Sequence, residues 1–558
     1  MRVPTRTTRA MAIAMAGVFA LSACGGSDGG SGGGSGGSGS GSTGGSSDGT
    51  WSMYIGQPEN PLVPGNTTET EGGQVVDSLW TGLIEYSAEG EVEYTGVAES
   101  IESEDNVTWT VTLKPDWTFH DGSAVTANSF VDAWNYTALS TNGQGGSYFF
   151  SNVEGYDALQ AETDDEGNVV AEPTATEMSG LEVVDDQTFT VTLTSPFSIF
   201  PVTTGYAAFY PMPEAFFEDP EGFGAEPIGN GPFQVDGPFE DGVGITTTRY
   251  EDYAGETPAQ SGGVEFRVYT DVATAYADVQ AGNLDVVNPI PADNATTAPD
   301  EFGDRFAEAE SSSFTYMGFP VYDPRFADKR VRQAFSMAID REAITEAIFQ
   351  GTRAPADAAV APTVDGYREG ACQYCEFDPE AAAALLAETD FDTSQPVELW
   401  FNSGADHDAW VQAVGNQLRE NLGVDYQLRG DLDFSQYLPL ADEQGFTGPF
   451  RLGWVMDYPS AQNYLEPLYS EAALPPNGSN TTFYVNPDFD AAIAEGNQAA
   501  SPEEAVASYN RAEDLLLEDM PIAPMFYGLS QYVWSENVGD VTVDVFTRVN
   551  TADVTVAG

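Results

Sequence analysis

The stretch RLGWVMDYPS, residues 451–460, places a cation, an indole and a carboxylate three residues apart, at Arg451, Trp454 and Asp457. The carboxylate alone says little, because the chain contains 88 Asp+Glu and only 19 Lys+Arg. The arginine is the rarer residue. The trio either binds a charged ligand or forms an ordinary salt bridge beside a half-buried tryptophan, and most ion pairs are structural.

The cysteines and histidines offer little further chemistry. Cys372 and Cys375 stand in CQYC, and a zinc site would need a second pair of ligands nearby, whereas His120 and His407 are isolated in the sequence. A thioredoxin-type redox centre would stand at a helix N-terminus, but this motif precedes the helical pattern DPEAAAALLAE by several residues. We therefore expect a local disulfide, with free thiols as the alternative, and neither a metal nor a cofactor.

Composition limits the classes of function. The chain has 558 residues, enough for several domains, and its 41% hydrophobic and 12% aromatic residues are typical of a globular protein. Its formal net charge is −69. Binding to nucleic acid requires basic patches, so a nucleic-acid partner is not expected.

The amino-terminal region has the pattern of an export signal. Three arginines precede a short apolar run within residues 1–23, and LSAC then resembles the bacterial lipobox, in which Cys24 is lipidated after cleavage. Residues 24–50 are almost wholly Gly and Ser, which indicates a flexible tether. The sequence therefore predicts a protein anchored by lipid at Cys24 to the outer face of the bacterial cytoplasmic membrane.

The remaining chain changes its pattern along its length. The first half is rich in strands: TWTVTL, residues 108–113, alternates apolar and polar residues, and TFTVTL, residues 188–193, repeats this pattern. Later, strands alternate with helices, as in residues 264–287 and 397–430. These are βαβ units, which predict an α/β fold with helix-covered sheets. A helix is also expected from Pro502, with Ser501 as its N-cap.

Four segments carry a resemblance to a known family. They are DSLWTGLIEY at 77–86, TWTVTLKPDWTFHDGSAVTANSFVDAW at 108–134, IGNGPFQV at 228–235 and DKRVRQAFSMAIDREAI at 328–344. In this order they resemble the large solute-binding proteins of ABC importers, specifically the oligopeptide and dipeptide class, from about residue 51 to the end. The resemblance places His120 in a structural turn, although the neighbouring Asp121 might otherwise suggest catalysis.

The resemblance implies a two-lobed, periplasmic-binding-protein-like α/β fold of the large class II type, with a ligand cleft between the lobes. Lobe I would comprise residues 51–310, including an extra strand-rich subdomain at about 80–212. Lobe II would comprise residues 311–521, and residues 522–558 would return to lobe I.

The resemblance also gives roles to the residues of the opening stretch. Oligopeptide binders of the family carry an Arg-x-x-Trp-x-x-Asp-Tyr pattern, which Arg451, Trp454, Asp457 and Tyr458 match. Asp457 would then receive the α-ammonium group of a peptide, Arg451 would face its carboxylate, and Trp454 would line a side-chain pocket. The family also uses an acidic residue near the N-terminus, for which we name Glu69 over Glu71.

The expected function is a monomeric extracellular receptor that captures peptides and delivers them to ABC transporter permease subunits, without enzymatic activity. One alternative is the same kind of receptor for an oligosaccharide, a nickel chelate or haem. A more remote alternative is a secreted hydrolase, but outside the Gly/Ser tether the sequence contains no nucleophile motif such as G-x-S-x-G.

Overall fold

The structure is a computed structural model, and it describes residues 48–163, 169–403, 407–432, 434–475 and 478–557. The predicted signal peptide, Cys24 and residues 24–47 of the predicted tether lie outside the described residues. Among the described residues, no helix combines the length and hydropathy that crossing a membrane requires.

The described residues form 21 strands and 15 α-helices. The strands are β1 Thr50–Ile55, β2 Glu85–Tyr86, β3 Val92–Glu93, β4 Ala98–Glu102, β5 Thr108–Leu113, β6 Glu162–Thr163, β7 Val169–Ala171, β8 Leu181–Asp185, β9 Thr188–Thr192, β10 Phe233–Val235, β11 Gly244–Arg249, β12 Gly263–Val268, β13 Val286–Val287, β14 Phe306–Gly318, β15 Arg353–Pro355, β16 Val397–Trp400, β17 Tyr426–Arg429, β18 Phe450–Trp454, β19 Ile522–Trp534, β20 Val538–Gly539 and β21 Thr555–Val556. The helices are α1 Thr70–Leu79, α2 Ala127–Ala138, α3 Phe200–Thr203, α4 Glu214–Glu218, α5 Pro220–Phe223, α6 Val272–Ala281, α7 Ala298–Phe302, α8 Lys329–Met337, α9 Arg341–Ile344, α10 Pro379–Leu386, α11 Asp408–Leu422, α12 Phe434–Asp442, α13 Ala461–Tyr469, α14 Pro487–Asn497 and α15 Pro502–Asp519.

The predicted βαβ units are confirmed. Strand β1 pairs in parallel with both β12 and β13, which α6 connects, and β16 pairs in parallel with β17 across α11. Local sequence sets the helix ends: Asp271 accepts a hydrogen bond from the amide of Ala273 at the start of α6, and Gly282 ends it with a φ of 75°. Ser501 caps α15 by accepting from the amide of Glu504, as the sequence predicts.

One large sheet runs through the described part of the chain. Its strand order is β10-β11-β12-β1-β13-β19-β14-β18-β16-β17, and β15 pairs with β19. The strands at one end come from the first half of the chain and those at the other end from the second half. The long antiparallel pair β14 and β19 joins these two halves.

Most buried apolar side chains belong to two large cores, and a smaller cluster surrounds α6 and α7. The first core is built mainly from Trp51 to Val286 and is completed by Tyr532 and by valines between Val538 and Val554. The second core extends from Phe314 to Tyr527, with Val545 and Phe546 added. Both long strands contribute to both sides, since Ala307 and Ala309 contact the first core.

These two cores bear on the predicted lobes. The change of core occurs within β14 at the register shift between Glu310 and Phe314, next to the predicted crossing at residue 311. In β19 it occurs between Tyr527 and Tyr532, several residues beyond the predicted crossing at 521. The lobe boundaries 51–310, 311–521 and 522–558 remain a prediction.

A separate four-stranded antiparallel sheet, in the order β4-β5-β9-β8, lies within the predicted strand-rich subdomain. The adjacent turn contains His120, whose Nδ1 accepts from the amide of Gly229 and whose Nε2 lies 3.2 Å from the carbonyl oxygen of Gly231. Burial lowers the pKa of His120 to about 4, so the ring is neutral and joins two segments of backbone. The structural interpretation of His120 is confirmed.

Candidate functional site

The opening stretch forms a strand, a turn and the start of a helix. Strand β18 ends at Trp454, the turn carries Asp457, and α13 begins after Ser460, whose hydroxyl accepts from the amide of Gln462. Arg451 lies in β18 opposite Met317 of β14. The site residues therefore extend from one of the two strands that border the change of core.

Asp457 is the electrostatic centre of the turn. Its Oδ2 accepts from Nδ2 of Asn463 over 2.9 Å, and its amide donates to Oδ1 of Asn463 over 2.8 Å. Burial raises the pKa of the Asp457 carboxyl to about 7, although hydrogen bonds from Asn463 and from the hydroxyl of Tyr206 act in the opposite direction. Among the described residues, no cation forms a salt bridge with Asp457. The negative charge of this carboxylate is therefore not balanced by a neighbouring cation among the described residues.

Arg451 is a cation that forms no salt bridge with any described carboxylate. Its Nη1 donates to Oδ1 of Asn402 over 3.2 Å, while its buried Nε has no hydrogen-bond partner. Burial lowers the pKa of the Arg451 guanidinium to about 10, and the charge of Arg353 acts in the same direction. In the described part of the chain Arg451 pairs with no carboxylate. The ordinary salt bridge between Arg451 and Asp457 does not form.

His407 lies beside Arg451 and was not predicted as a site residue. Burial and the charges of Arg451 and Arg353 lower the pKa of His407 to about 3, so the ring is neutral. Its Nδ1 accepts from Nε1 of Trp410 at 3.4 Å, which leaves the proton on Nε2. We call Arg451, Arg353, the neutral His407 and Asn402, whose Oδ1 accepts from Arg451, the cationic group.

The order of the strands in the sheet would have been needed to predict the cationic group. Strands β16 and β18 are parallel neighbours, with Trp400 opposite Phe450. The chain leaving β16 therefore emerges at the same edge as the chain leaving β18. Asn402 and His407 follow β16, as Asp457 follows β18. Sequence patterns alone do not show that β16 and β18 are neighbours in the sheet.

The aromatic residues of the motif differ in their surroundings. Trp454 is half-buried, and its Nε1 donates to Oδ1 of Asn463 over 3.0 Å. Tyr458 is buried, donates to Oε1 of Gln462 over 2.6 Å, and packs against the first core although it follows a strand of the second. Asn463 therefore accepts from both Trp454 and the Asp457 backbone, and it fixes the motif as one unit.

Glu69 occupies the N-cap of α1. Its Oε2 accepts from the amide of Gly72 over 2.7 Å and its Oε1 from the amide of Glu59 over 3.3 Å. Burial raises its pKa, and its charge contributes to the raised pKa of Tyr206, the hydroxyl that contacts Asp457. Glu69 thus caps a helix near the site, and its contact with ligand remains a prediction.

A cavity of about 350 Å³ opens beside the motif. One wall comes from the strand-rich region, with Phe149, Phe197 and Phe200, and the other comes from Trp454, Tyr458 and helix α13. Hydrogen bonds join the same two regions: the amide of Ser198 donates to the carbonyl oxygen of Asn497 over 3.1 Å. The cavity therefore lies in the cleft between the two cores.

Cys372 and Cys375 are bonded to each other as a disulfide. The carbonyl of Cys375 accepts from Nη1 of Arg341, a fully buried guanidinium whose pKa burial lowers to about 9. The described residues contain no group of three or more His, Cys, Asp or Glu side chains arranged to hold a metal ion.

Two lobes around a cleft, with buried and uncompensated charges of opposite sign along it, define a two-lobed binding protein. Comparison with known families gives the same class. Residues 94–475 match the model described as bacterial extracellular solute-binding proteins, family 5. The chain belongs to this family of solute-binding proteins.

Individual relatives share most of the chain. The oligopeptide-binding protein OppA of Bacillus subtilis is 25% identical over 497 residues, which cover 86% of this chain and 88% of the relative. The periplasmic murein peptide-binding protein MppA of Escherichia coli is 27% identical over 463 residues, with 81% and 83% covered. The solved structure of MppA superposes with a TM-score of 0.77 at 23% identity, covering 91% of this chain and 98% of that one.

Proposed function

We propose that this protein is an extracellular receptor that binds peptides in the cleft and delivers them to the permease of an ABC importer. The observation that carries the proposal is the pair of unmet charges, a carboxylate at Asp457 and a guanidinium at Arg451. A free peptide has an ammonium at one end and a carboxylate at the other. Burying either end away from water is unfavourable unless an opposite charge receives it.

In this proposal Asp457 binds the α-ammonium group. Its raised pKa reflects a carboxylate that is buried without a cation, and an arriving ammonium supplies one. Tyr206 and Asn463 hold the carboxylate in position. Tyr206 comes from the first core's side and Asn463 from the second's, so binding at Asp457 draws on both sides of the cleft.

The cationic group receives the carboxylate of the peptide. Arg451 contributes the buried guanidinium, and neutral His407 contributes an Nε2 proton as a second donor. Trp454 and the neighbouring aromatic residues contact side chains between the two ends. Charged groups at both ends with apolar surface between them favour peptides over neutral oligosaccharides.

The remaining parts of the proposal rest on sequence and on the relatives. The lipobox-like LSAC supports lipidation of Cys24 and a location at the outer face of the bacterial cytoplasmic membrane. The relatives' names support peptide as the ligand class. The permease and the monomeric state are carried over as expectations from the family. Replacement of Cys24 by Ala tests the anchor: the protein should leave the membrane fraction while its body still folds.

A thermodynamic cycle tests the central claim. Asp457→Asn keeps the shape of the side chain but removes its charge, so affinity for a peptide with a free amine should fall about ten- to hundredfold, since a charged hydrogen bond contributes about 1.5–3 kcal/mol. The same peptide with an acetylated amine should bind weakly to both forms. Calorimetry on the four combinations gives the coupling between Asp457 and the ammonium. A coupling near zero would overturn the proposal for this residue.

A further inference from the structure

Glu466 is a second half-buried carboxylate at the cleft, and the terminal charges of a peptide do not account for it. It lies in α13 and lines the cavity beside Trp454 and Tyr458. Burial raises its pKa, the charge of Asp490 acts in the same direction, and hydrogen bonds from Asn497 and Gln462 oppose the shift. Within the described part of the chain, no Lys or Arg forms a salt bridge with it.

The two carboxylate oxygens of Glu466 are used unequally. Oε2 accepts from Nε2 of Gln462 and, over 2.9 Å, from Nδ2 of Asn497. Oε1 accepts no hydrogen bond from any described residue. It is not fully enclosed, because it is absent from the set of completely buried polar atoms that lack a partner. The anchored oxygen fixes the side chain, and the other oxygen is left for a donor that enters the cavity.

The walls of the cavity suit a long aliphatic stem. Phe149, Leu193, Phe197, Phe200 and Trp454 supply apolar surface along its length. Such walls bury the methylenes of a lysine or arginine, and aromatic faces attract the cation itself. This apolar part of the cavity wall together with the Glu466 carboxylate, which we call the channel, therefore matches the two parts of a basic side chain.

The position of Glu466 relates this channel to the proposed ammonium site. Asn463, which binds Asp457, also lines the cavity and precedes Glu466 by three residues on the same helix. Side chains three apart on a helix are neighbours, with Cβ atoms about 5–6 Å apart. A peptide whose ammonium reaches Asp457 thus has the side chain of its first or second residue beside the channel.

We infer that Glu466 selects peptides with a lysine or arginine at one of the first two positions, with the basic group bound at the free Oε1 of Glu466. The inference rests on the proposed peptide-binding function and adds a specificity determinant to it. The formal net charge of −69 acts in the same direction, because it attracts cationic peptides toward the cleft.

The test uses matched tripeptides with free termini. Lysine is compared with norleucine, which keeps the four-carbon stem but lacks the ammonium, at the first, second and third positions of an alanine background. The wild-type protein should prefer lysine by tenfold or more at the first or the second position. Glu466→Gln should abolish that preference, and the affinity of each form for the norleucine peptide is the reference for its affinity for the lysine peptide.

Glu471→Gln is the matched control, because Glu471 is an exposed carboxylate just beyond the same helix. It changes the net charge equally and should leave the lysine preference intact. If Glu466→Gln fails to bind even the norleucine peptide, Ala472→Arg replaces it. Ala472 is exposed at the rim of the cavity, so its arginine should compete for Glu466 and remove the preference.

The outcomes separate this inference from the proposed function. Binding of the norleucine peptides without a preference for lysine would overturn the role of Glu466 and leave peptide binding intact. A lysine preference that survives Glu466→Gln, or Ala472→Arg where that variant replaces it, would do the same. A lysine preference at the third position alone would also overturn it. If no tripeptide with free termini binds to the wild type, the proposed function fails, and the inference fails with it.

Discussion

Asn463 contacts Asp457 at two points, donating to the carboxylate over 2.9 Å and accepting from the backbone amide over 2.8 Å. The same side chain accepts from the indole of Trp454. The single side-chain amide of Asn463 thus orients both the Asp457 carboxylate, which is proposed to bind the ammonium group, and the indole of Trp454 beside it. Its position, six residues after Asp457, depends on the turn that leads into α13.

Replacing Asn463 by Ala should therefore damage the site and the fold together. The variant leaves the Trp454 indole and the Asp457 amide without their acceptor, which should lower the free energy of unfolding by about 1–3 kcal/mol. Loss of the donor to the carboxylate should raise the pKa of Asp457 further. Denaturant unfolding measures the first effect, and Asn416→Ala, on the exposed face of α11, is the control.

Affinity for peptides with a free amine should depend on pH. The pKa of Asp457 is raised to about 7 in the free protein, so below pH 7 the carboxyl is increasingly neutral, and binding of an ammonium must first release its proton. Affinity should fall up to tenfold for each pH unit below 7. Above pH 8 the α-amine itself loses its proton, so affinity should be highest between about 7 and 8.

Calorimetry at several pH values checks this dependence. Binding near pH 6 should release protons, which buffers of different ionisation enthalpy detect. In Asp457→Asn the loss of affinity below pH 7 should be much smaller. An equal loss of affinity in that variant would contradict the assignment of this pH dependence to Asp457.

Arg451 should lower the stability of the unliganded protein and raise its affinity for peptides with a free carboxylate. Burial lowers the pKa of the Arg451 guanidinium to about 10, and no carboxylate among the described residues forms a salt bridge with it. Arg451→Met should raise the free energy of unfolding of the unliganded protein by about 1 kcal/mol or more, since replacing a buried charge by an apolar side chain is often stabilising. The same variant should lose its preference for a peptide carboxylate over the corresponding amide.

Arg419→Met is the control for that experiment. Arg419 is an exposed residue that pairs with Asp425 on the surface, and its removal should change stability by no more than about 0.5 kcal/mol. Thermal unfolding without ligand and calorimetry with the free and amidated peptides give the two readouts. Lower stability of Arg451→Met without ligand would refute the idea of an uncompensated charge.

Asn106 should favour the closed cleft. Its Nδ2 donates to the carbonyl oxygens of Ala499 and Ala500 across the cleft, at 3.1 and 3.4 Å. Its φ of 57° is tolerated best by Gly and Asn, so Asn106→Gly removes the contact without backbone strain. We expect a larger radius of gyration without ligand and an affinity for peptide about two- to tenfold lower.

Small-angle scattering with and without peptide measures this effect. Asp116→Gly is the matched control, because Asp116 is exposed and has a φ of 70°. Its scattering should match that of the wild type in both states. If Asn106→Gly compacts on adding peptide no more than the wild type does, Asn106 does not hold the cleft closed.

The bond between Cys372 and Cys375 should contribute little to stability. It encloses a very short loop, so it removes less entropy from the unfolded chain than the roughly 3 kcal/mol of a 15-residue loop. The Cys372→Ser, Cys375→Ser double variant should therefore unfold only slightly earlier. Thiol labelling of the exported native protein provides the prior check, and two reactive thiols would contradict the bond.

Sequence patterns predicted the elements that local physics determines. The helix from Val272 to Ala281 and the helix from Pro502 to Asp519 carry their own caps, and alternation shows the strand Thr108–Leu113. The full length of Phe306–Gly318 was not predicted. Its first half, FAEAES, is polar and forms a strand because Ile522–Trp534 pairs with it, and such long-range pairing leaves no local pattern.

The candidate site divides in the same way. Arg451, Trp454, Asp457 and Tyr458 lie within eight residues, so a motif reveals them. Arg353, His407, Tyr206 and Glu466 join the site through sheet order and closure of the cleft. Their individual sequence surroundings contain no feature that distinguishes them from structural residues.

The first core needs residues from both ends of the chain, and this has a consequence for the order of folding. The side chain of Gln74 binds the backbone of Val549 at both its amide and its carbonyl, and Tyr532, Val541 and Val554 pack in the core that Trp51 begins. Synthesis of the chain must therefore be nearly finished before this core can close. The second core, between Phe314 and Tyr527, also includes Val545 and Phe546, so the same carboxy-terminal segment completes both cores. A chain that ended before Val538 would leave both cores incomplete.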